Sequence, residues 1–389
     1  MQNAMRLRAM VLALLSAAAA TALGAEDGRA SAAAAVLWET TRWSDAGAIA
    51  TRSDGSGALL TLDRELQTKA RRLLREAMPQ AGAAVVVDVR TSEVLALVEI
   101  GENAQSLLFS PAAPAASLFK LVTTATLYEN TRLTPRSRVC TNGGVRRIDR
   151  EHLEAARGPN ARCTAFGSAL GFSRNAVFAQ LAVQELMRED LVQMADALGF
   201  NRRLPFDVNA QLGSLEVPYD DLEFARTAVG FQNSRLSALG GAQLALTVAH
   251  DGEVRPLHVV REANAAAPAE GSLPESRRAF SAKTAERMRR MMEVTVQSGT
   301  SRDAFSDERG RPYLGSIRVA GKTGTLRPDE EGPTSSWFVG FAPSARPEVV
   351  VSVLLLNRAK WHRKANEVAR DVLRTYFAAR GASGVTAPP

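Results

Sequence analysis

Apolar residues begin to recur at fixed spacing near Leu59, and from there the chain switches between helical and strand periods. Leu66, Ala70, Leu73 and Leu74 repeat at helical spacing behind Asp63, a good capping residue, so a helix is predicted to start there. Two β-rich runs, 83–89 and 93–99, are separated by a short polar turn at Arg90 and predict a hairpin. After a polar, Pro-marked loop over 101–114, the stretch from Pro114 to Tyr128 predicts a helix ending near Asn130. Leu118, Phe119, Leu121, Val122, Ala125 and Leu127 leave it no wide polar face, so this helix is expected to be buried all round. Helical spacing dominates 164–200 and recurs over 221–229, 236–250, 283–297 and 364–379. The last third carries the strand patterns 317–325, 336–341 and 349–356, the last an apolar run suited to a sheet covered on both faces. Strands at both ends around a helical middle predict one sheet assembled from distant segments.

The remaining stretches lack such periods. Residues 1–25 combine Arg6 and Arg8, an apolar run over 9–20 and small residues at Ala22, Gly24 and Ala25, the pattern of a secretory signal peptide. That run falls short of the roughly 20 residues a spanning helix needs, which favours cleavage over a retained anchor. Residues 26–56, rich in Ala, Ser, Gly and Asp, read as a linker or loosely packed arm. Residues 263–274 read as a low-complexity loop and 380–389 as a flexible tail.

Secretion changes the reading of the two cysteines. In an oxidising compartment Cys140 and Cys163 are expected to pair and to staple the base of the irregular excursion between them, with two buried thiols as the alternative. The balance of 46% hydrophobic and 23% charged residues is that of a globular protein. The net charge of +7 is spread without a basic block interleaved with aromatics, which argues against nucleic acid as a partner. His152, His250, His258 and His362 show no metal-ligand spacing, and no metal or cofactor is expected.

One residue does not fit its pattern. Lys120 lies in the apolar stretch after Pro114, where a charged ammonium is costly unless paired or driven neutral by burial. A neutral amine is a base, and Ser117, three residues earlier, falls on the same helical face, where it can lose its proton to that base. Lysine is scarce, and among Lys69, Lys120, Lys283, Lys322, Lys360 and Lys364 only Lys120 has a serine three residues before it. A serine nucleophile also needs a proton route and an electrophilic site for the oxyanion. Ser173-Arg-Asn175 offers a hydroxyl and a carboxamide at the start of an apolar helix, though an ordinary helix cap reads the same way. Lys322-Thr-Gly-Thr325 offers a cation and two hydroxyls that suit a carboxylate, and Gly324 within a strand suggests close approach of another backbone or a ligand. The plain alternative there is a strand entering a turn.

Together these three pieces resemble the signatures, in order, of the penicillin-binding active-site-serine transpeptidases and their β-lactamase relatives. Leu60–Gln67, Thr227-Ala-Val-Gly230, Ala320–Thr325 and Trp337–Pro343 are similar to the same family's domain, and the resemblance covers about 57–379. It implies a fold of the α/β class, α+β in type: a mostly antiparallel sheet of N- and C-terminal strands with helices on both faces, plus an all-helical subdomain, the active site lying between them. It implies acyl transfer from peptidoglycan stem peptides ending in D-Ala-D-Ala, with β-lactams as covalent ligands and other cell-wall synthesis proteins as partners. Ser117 would be the nucleophile, Lys120 the general base and Ser173 the proton relay. The Ser117 and Thr325 N–H groups would form the oxyanion hole. Asn175 would hold the substrate amide, and Lys322, Thr323, Gly324 and Thr325 would form the carboxylate anchor. An amine acceptor gives transpeptidation, and water gives carboxypeptidase action. Two rivals share the nucleophile. A serine β-lactamase would add a deacylating water, but the Glu-x-x-Leu-Asn of one class is absent, and Ser173-Arg-Asn175 stands where another class has Ser-x-Val. A non-enzymatic β-lactam or muropeptide sensor would acylate without turnover. Tyr128-Glu-Asn130 imitates a Tyr-x-Asn motif of some relatives but lies too far along the nucleophile's own helix to face Ser117.

Overall fold

The computed structural model describes residues 35–102, 105–143, 147–159, 161–202, 206–261, 276–327, 332–358 and 361–381. The expected signal peptide, residues 26–34 of the arm, the loop 263–274 and residues 382–389 of the tail lie outside the described residues.

The central sheet joins the two ends of the domain. Strands Ala81–Asp88 and Val94–Gly101 form the hairpin anticipated from their β-rich runs. Strands Ala320–Leu326, Thr334–Ala342 and Val349–Asn357 complete a five-stranded antiparallel sheet in which Val349–Asn357 pairs directly with Ala81–Asp88. Every residue of Val349–Asn357 is buried, as a run apolar on both faces requires. On one face lies helix Ala238–Ala249, buried all round. On the other face lie helices Arg64–Glu76 and Ala365–Ala379. Asp63 caps the first of these by accepting from Leu66 N–H at 2.9 Å. The helices of the chain's middle, Lys120–Asn130, Asn175–Glu185, Arg188–Ala197 and Asp221–Ala228, share one hydrophobic core with the Ala238–Ala249 face. The architecture is thus the mixed one expected, and strand Ala320–Leu326 forms a free edge of its sheet. Among the described residues no helix is long and apolar enough to cross a membrane.

Two local expectations need correction. Residues 36–52 are not a loose arm: Val36–Ser44, Gly47–Arg52 and Gly57–Leu59 form a three-stranded antiparallel sheet whose Val36, Ala48, Ala50 and Ala58 enter the main core. Alanine supplies most of those inward positions, and its small contrast with Ser and Gly hides the period of two. The helix expected from Pro114 also starts later. Ala113–Pro114 is a short strand, Ala116–Leu118 a 3₁₀ turn, and the α-helix runs over Lys120–Asn130. Ala116 has φ 49°, a left-handed conformation that a right-handed helix does not accommodate.

The excursion between the cysteines is closed as expected. Cys140 and Cys163 form a disulfide and face each other across paired strands Arg138–Thr141 and Arg162–Ala165. Replacing both by serine is expected to cost about 3 kcal/mol of stability, read as a lower denaturant midpoint. An unchanged midpoint would mean that the strand pairing alone closes this loop.

Candidate active site

The sequence places Ser117 in a strained turn for a structural reason. The Ala116 carbonyl packs against Gly230, where an added Cβ would stand 1.8 Å from that oxygen. The Thr227-Ala-Val-Gly230 segment therefore seats the serine turn and also anchors the lysine: Lys120 Nζ donates to the Val229 carbonyl at 3.1 Å. Thr123 Oγ1 donates to the neighbouring Ala228 carbonyl at 2.6 Å, fixing the helix that carries Lys120.

From there a chain of bonds crosses the cleft. Lys120 Nζ lies 2.7 Å from Ser117 Oγ, Ser173 Oγ lies 3.1 Å from Ser117 Oγ, and Lys322 Nζ donates to Ser173 Oγ at 3.1 Å. Lys322 Nζ also donates to the Thr323 carbonyl at 2.7 Å. Both lysines are fully buried, while Ser117 is partly exposed and open to a substrate. Ser173 is not a helix cap. The position before helix Asn175–Glu185 is Arg174, which makes no capping bond, and Ser173, at φ 52°, directs its hydroxyl to Ser117.

Strand Ala320–Leu326 closes the cleft's other side. A Cβ at Gly324 would meet Ala116 Cβ at 3.3 Å and Trp337 Cβ at 3.2 Å, so glycine there reflects the close approach of the serine turn. Trp337 Nε1 donates to the Pro114 carbonyl at 2.9 Å and ties the sheet to the segment leading into Ser117. Ser117, Ser173, Asn175, Thr323 and Thr325 line one cleft of about 500 Å³. Thr300 also lines it, with its Oγ1 2.6 Å from Thr323 Oγ1. Neither Thr300 nor the Val229 carbonyl carries a motif of its own. Thr300 is brought to the site only by tertiary packing, and the sole sequence signal for Val229 is the similarity of its segment to the family. The Tyr128–Asn130 decoy lies elsewhere, with Asn130 bonded to Asp190 at the surface.

The electrostatics divide the two lysines. Burial pushes Lys120 well below its ordinary 10.5, and the neighbouring Lys322 charge pushes it further. Burial alone brings Lys322 down to about 7. Two ammonium groups this close disfavour one another, so the pair sheds its protons in steps, and the neutral amine that acylation requires is the one beside Ser117. Acylation of Ser117 by a carboxylate-bearing acyl donor is expected to rise with pH as Lys120 deprotonates and to fall as Lys322 does near 7. Lys322→Arg, which stays charged, should remove the alkaline fall while the acid limb persists. An unchanged alkaline limb in this variant would assign it to another group. For stability the sign also follows: between about 7 and 10.5 the folded protein binds fewer protons than the unfolded chain, so stability rises with pH across that window.

Comparison with known proteins decides the family. The family model described as the penicillin binding protein transpeptidase domain matches residues 82–374. The chain belongs to this family. Penicillin-binding protein PbpB of Mycobacterium tuberculosis is 26% identical over 338 residues, covering 79% of this chain and 49% of the relative. The peptidoglycan D,D-transpeptidase PbpA of the same species is 25% identical over 322 residues, covering 72% of this chain and 63% of the relative. The chain thus spans about half to less than two thirds of those relatives' length. Among solved structures, the D,D-transpeptidase domain of a peptidoglycan glycosyltransferase from Eggerthella lenta superposes with a TM-score of 0.65 at 25% identity, covering 83% of each chain. Penicillin-binding protein A of M. tuberculosis, in its penicillin G acyl-enzyme complex, gives 0.65 at 21% identity over 83% of this chain and 80% of that one. The penicillin-binding transpeptidase fold expected from the three motifs is therefore the one observed.

Proposed function

We propose that this chain is a serine D,D-transpeptidase that acts on stem peptides ending in D-Ala-D-Ala through an acyl ester on Ser117. The observation that carries the reading is the unbroken chain from Lys120 through Ser117 and Ser173 to Lys322, assembled from distant segments around one cleft. The Lys120 amine takes the Ser117 proton as Oγ bonds to the penultimate carbonyl carbon. The Ser117 and Thr325 N–H groups receive the oxyanion, Asn175 holds the substrate amide, and Lys322, Thr323 and Thr325 receive the terminal carboxylate. When the C–N bond breaks, Ser173 passes a proton to the departing D-alanine nitrogen. A second peptide's amine then takes the acyl group, or water does so in carboxypeptidase action. β-Lactams fit the same cycle as acyl donors whose leaving group stays tethered. We infer secretion to an oxidising compartment, which the Cys140–Cys163 disulfide supports.

The test is product analysis by mass spectrometry with a D-Ala-D-Ala pentapeptide and an acceptor amine. Release of D-alanine together with a new amide, both absent in Ser117→Ala, is expected. Penicillin labelling without D-alanine release would favour a sensor. Rapid penicillin hydrolysis with no peptide product would favour a β-lactamase.

A further inference from the structure

A second cavity, of about 320 Å³, adjoins the cleft at the Ser173 turn: Phe172, Ser173 and Asn175 line both. None of its other lining residues takes part in the acylation just described. We propose that this cavity seats the acceptor strand, binding through Arg162 and Arg174 a carboxylate that the acceptor peptide carries away from its attacking amine. The proposal rests on the reading of Ser117 as the carrier of a peptide acyl group.

The two arginines reach the cavity from different elements. Arg162 stands on strand Arg162–Ala165 opposite Thr141, and the neighbouring pair in that register is Cys140 and Cys163, so the disulfide holds the strand that carries it. Arg174 lies between the relay hydroxyl and Asn175, with its guanidinium 5.6 Å from the centre of the Phe172 ring. Both are exposed, and neither forms an ion pair among the described residues. Thr141 and Thr164 add hydroxyl groups to the wall. No aspartate or glutamate lines the cavity among the described residues, so nothing at its wall offsets the two cations. A guanidinium is the side chain best matched to a carboxylate, because its forked N–H groups can meet both oxygens.

The relay decides which peptide this anion belongs to. Ser173 gives a proton to the nitrogen that departs in the first half of the cycle, so the attacking nitrogen of the second half returns to the same place. It bonds to the acyl carbon, its proton passes through Ser173, which lies 3.1 Å from Ser117 Oγ, and the ester oxygen leaves as the Ser117 hydroxyl. The acceptor must therefore pass Ser173, and the cavity that shares this residue is where the rest of its strand can lie. The donor's terminal carboxylate belongs at Lys322, Thr323 and Thr325, none of which lines this cavity. A carboxylate at Arg162 and Arg174 is thus the acceptor's.

The test forms one acyl-enzyme from a D-Ala-D-Ala pentapeptide and partitions it between two acceptor peptides of equal length. One carries a free carboxylate removed from its amine, and in the other that carboxylate is amidated. Mass spectrometry measures the two cross-linked products. A preference of about tenfold for the free carboxylate is expected, as one charge-assisted hydrogen bond supplies. Arg162→Gln should bring the ratio towards one with acylation by benzylpenicillin unchanged, and Arg162→Lys should keep part of it. Arg162 is exposed, so both variants are expected to fold. Arg132→Gln, which removes an exposed guanidinium outside the cavity, should leave the ratio as it is. A wild-type ratio near one, with both acceptors consumed, would overturn the acceptor pocket while the transpeptidase reading stands. A preference that survives Arg162→Gln combined with Arg174→Gln, or that Arg132→Gln lowers equally, would also overturn it, as would slowed penicillin acylation in Arg162→Lys. Acyl-enzyme that passes to water alone would overturn the transpeptidase reading as well.

Discussion

Lys120→Ala is expected to slow acylation of Ser117 by a β-lactam about 10²- to 10⁴-fold, the range that loss of a positioned general base gives. The amine is fully buried, 2.7 Å from the hydroxyl, and depressed well below its ordinary range by burial and by the Lys322 charge. No carboxylate in the described structure stands in for it at Ser117. Lys120→Arg sharpens the test, because a guanidinium stays protonated and cannot accept the serine proton even though it retains positive charge. Both variants should lose labelling by a fluorescent penicillin at matched times, and Ser117→Ala should lose it completely. Wild-type labelling rates in Lys120→Ala would remove the lysine from the role of base.

Gly230→Ala is expected to damage stability and chemistry together. Gly230 adopts φ +81°, and a Cβ there would lie 1.8 Å from the Ala116 carbonyl oxygen. The obstacle is backbone, so no side chain can turn aside, and either the Val229–Gly230 turn or the serine turn must shift. The combined strain and clash should cost roughly 3 kcal/mol, read from urea unfolding. Because Val229 holds Lys120 and Ala116 precedes Ser117, the reacting groups should also move apart, and a displacement near 1 Å lowers acylation about 10²-fold. A variant with an unchanged midpoint and normal labelling would mean that this contact relaxes without touching the site.

The contrast between these two positions shows what the sequence made readable. Lys120 announced itself because a charge in an apolar run has few explanations, and Gly324 because a glycine inside a strand needs one. The sheet strands were equally legible, since Val349–Asn357 is apolar on both faces and the hairpin at Arg90 separates two β-rich runs. Residues 36–52 escaped because alanines carry their inward positions, so alternation leaves little contrast in hydrophobicity. The late start of the Lys120 helix was hidden for another reason. Ala116 is a good helix former held in a left-handed conformation by its packing against Gly230, and no local propensity reports that. Thr300 and Asn366 reach the cleft only through tertiary packing, from segments that otherwise read as a helix end and a helix start. Chemistry tied to an anomaly was visible in one dimension; chemistry tied to convergence became visible only in three.

The central claim is that Ser117 forms the acyl ester. Incubation with excess benzylpenicillin, followed by intact mass measurement over time and peptide mapping, tests it most directly. One penicilloyl adduct, confined to the peptide containing Ser117 and persisting well beyond seconds, is the predicted result. No adduct, an adduct on another residue, or one that clears within seconds as penicillin is consumed would contradict the account.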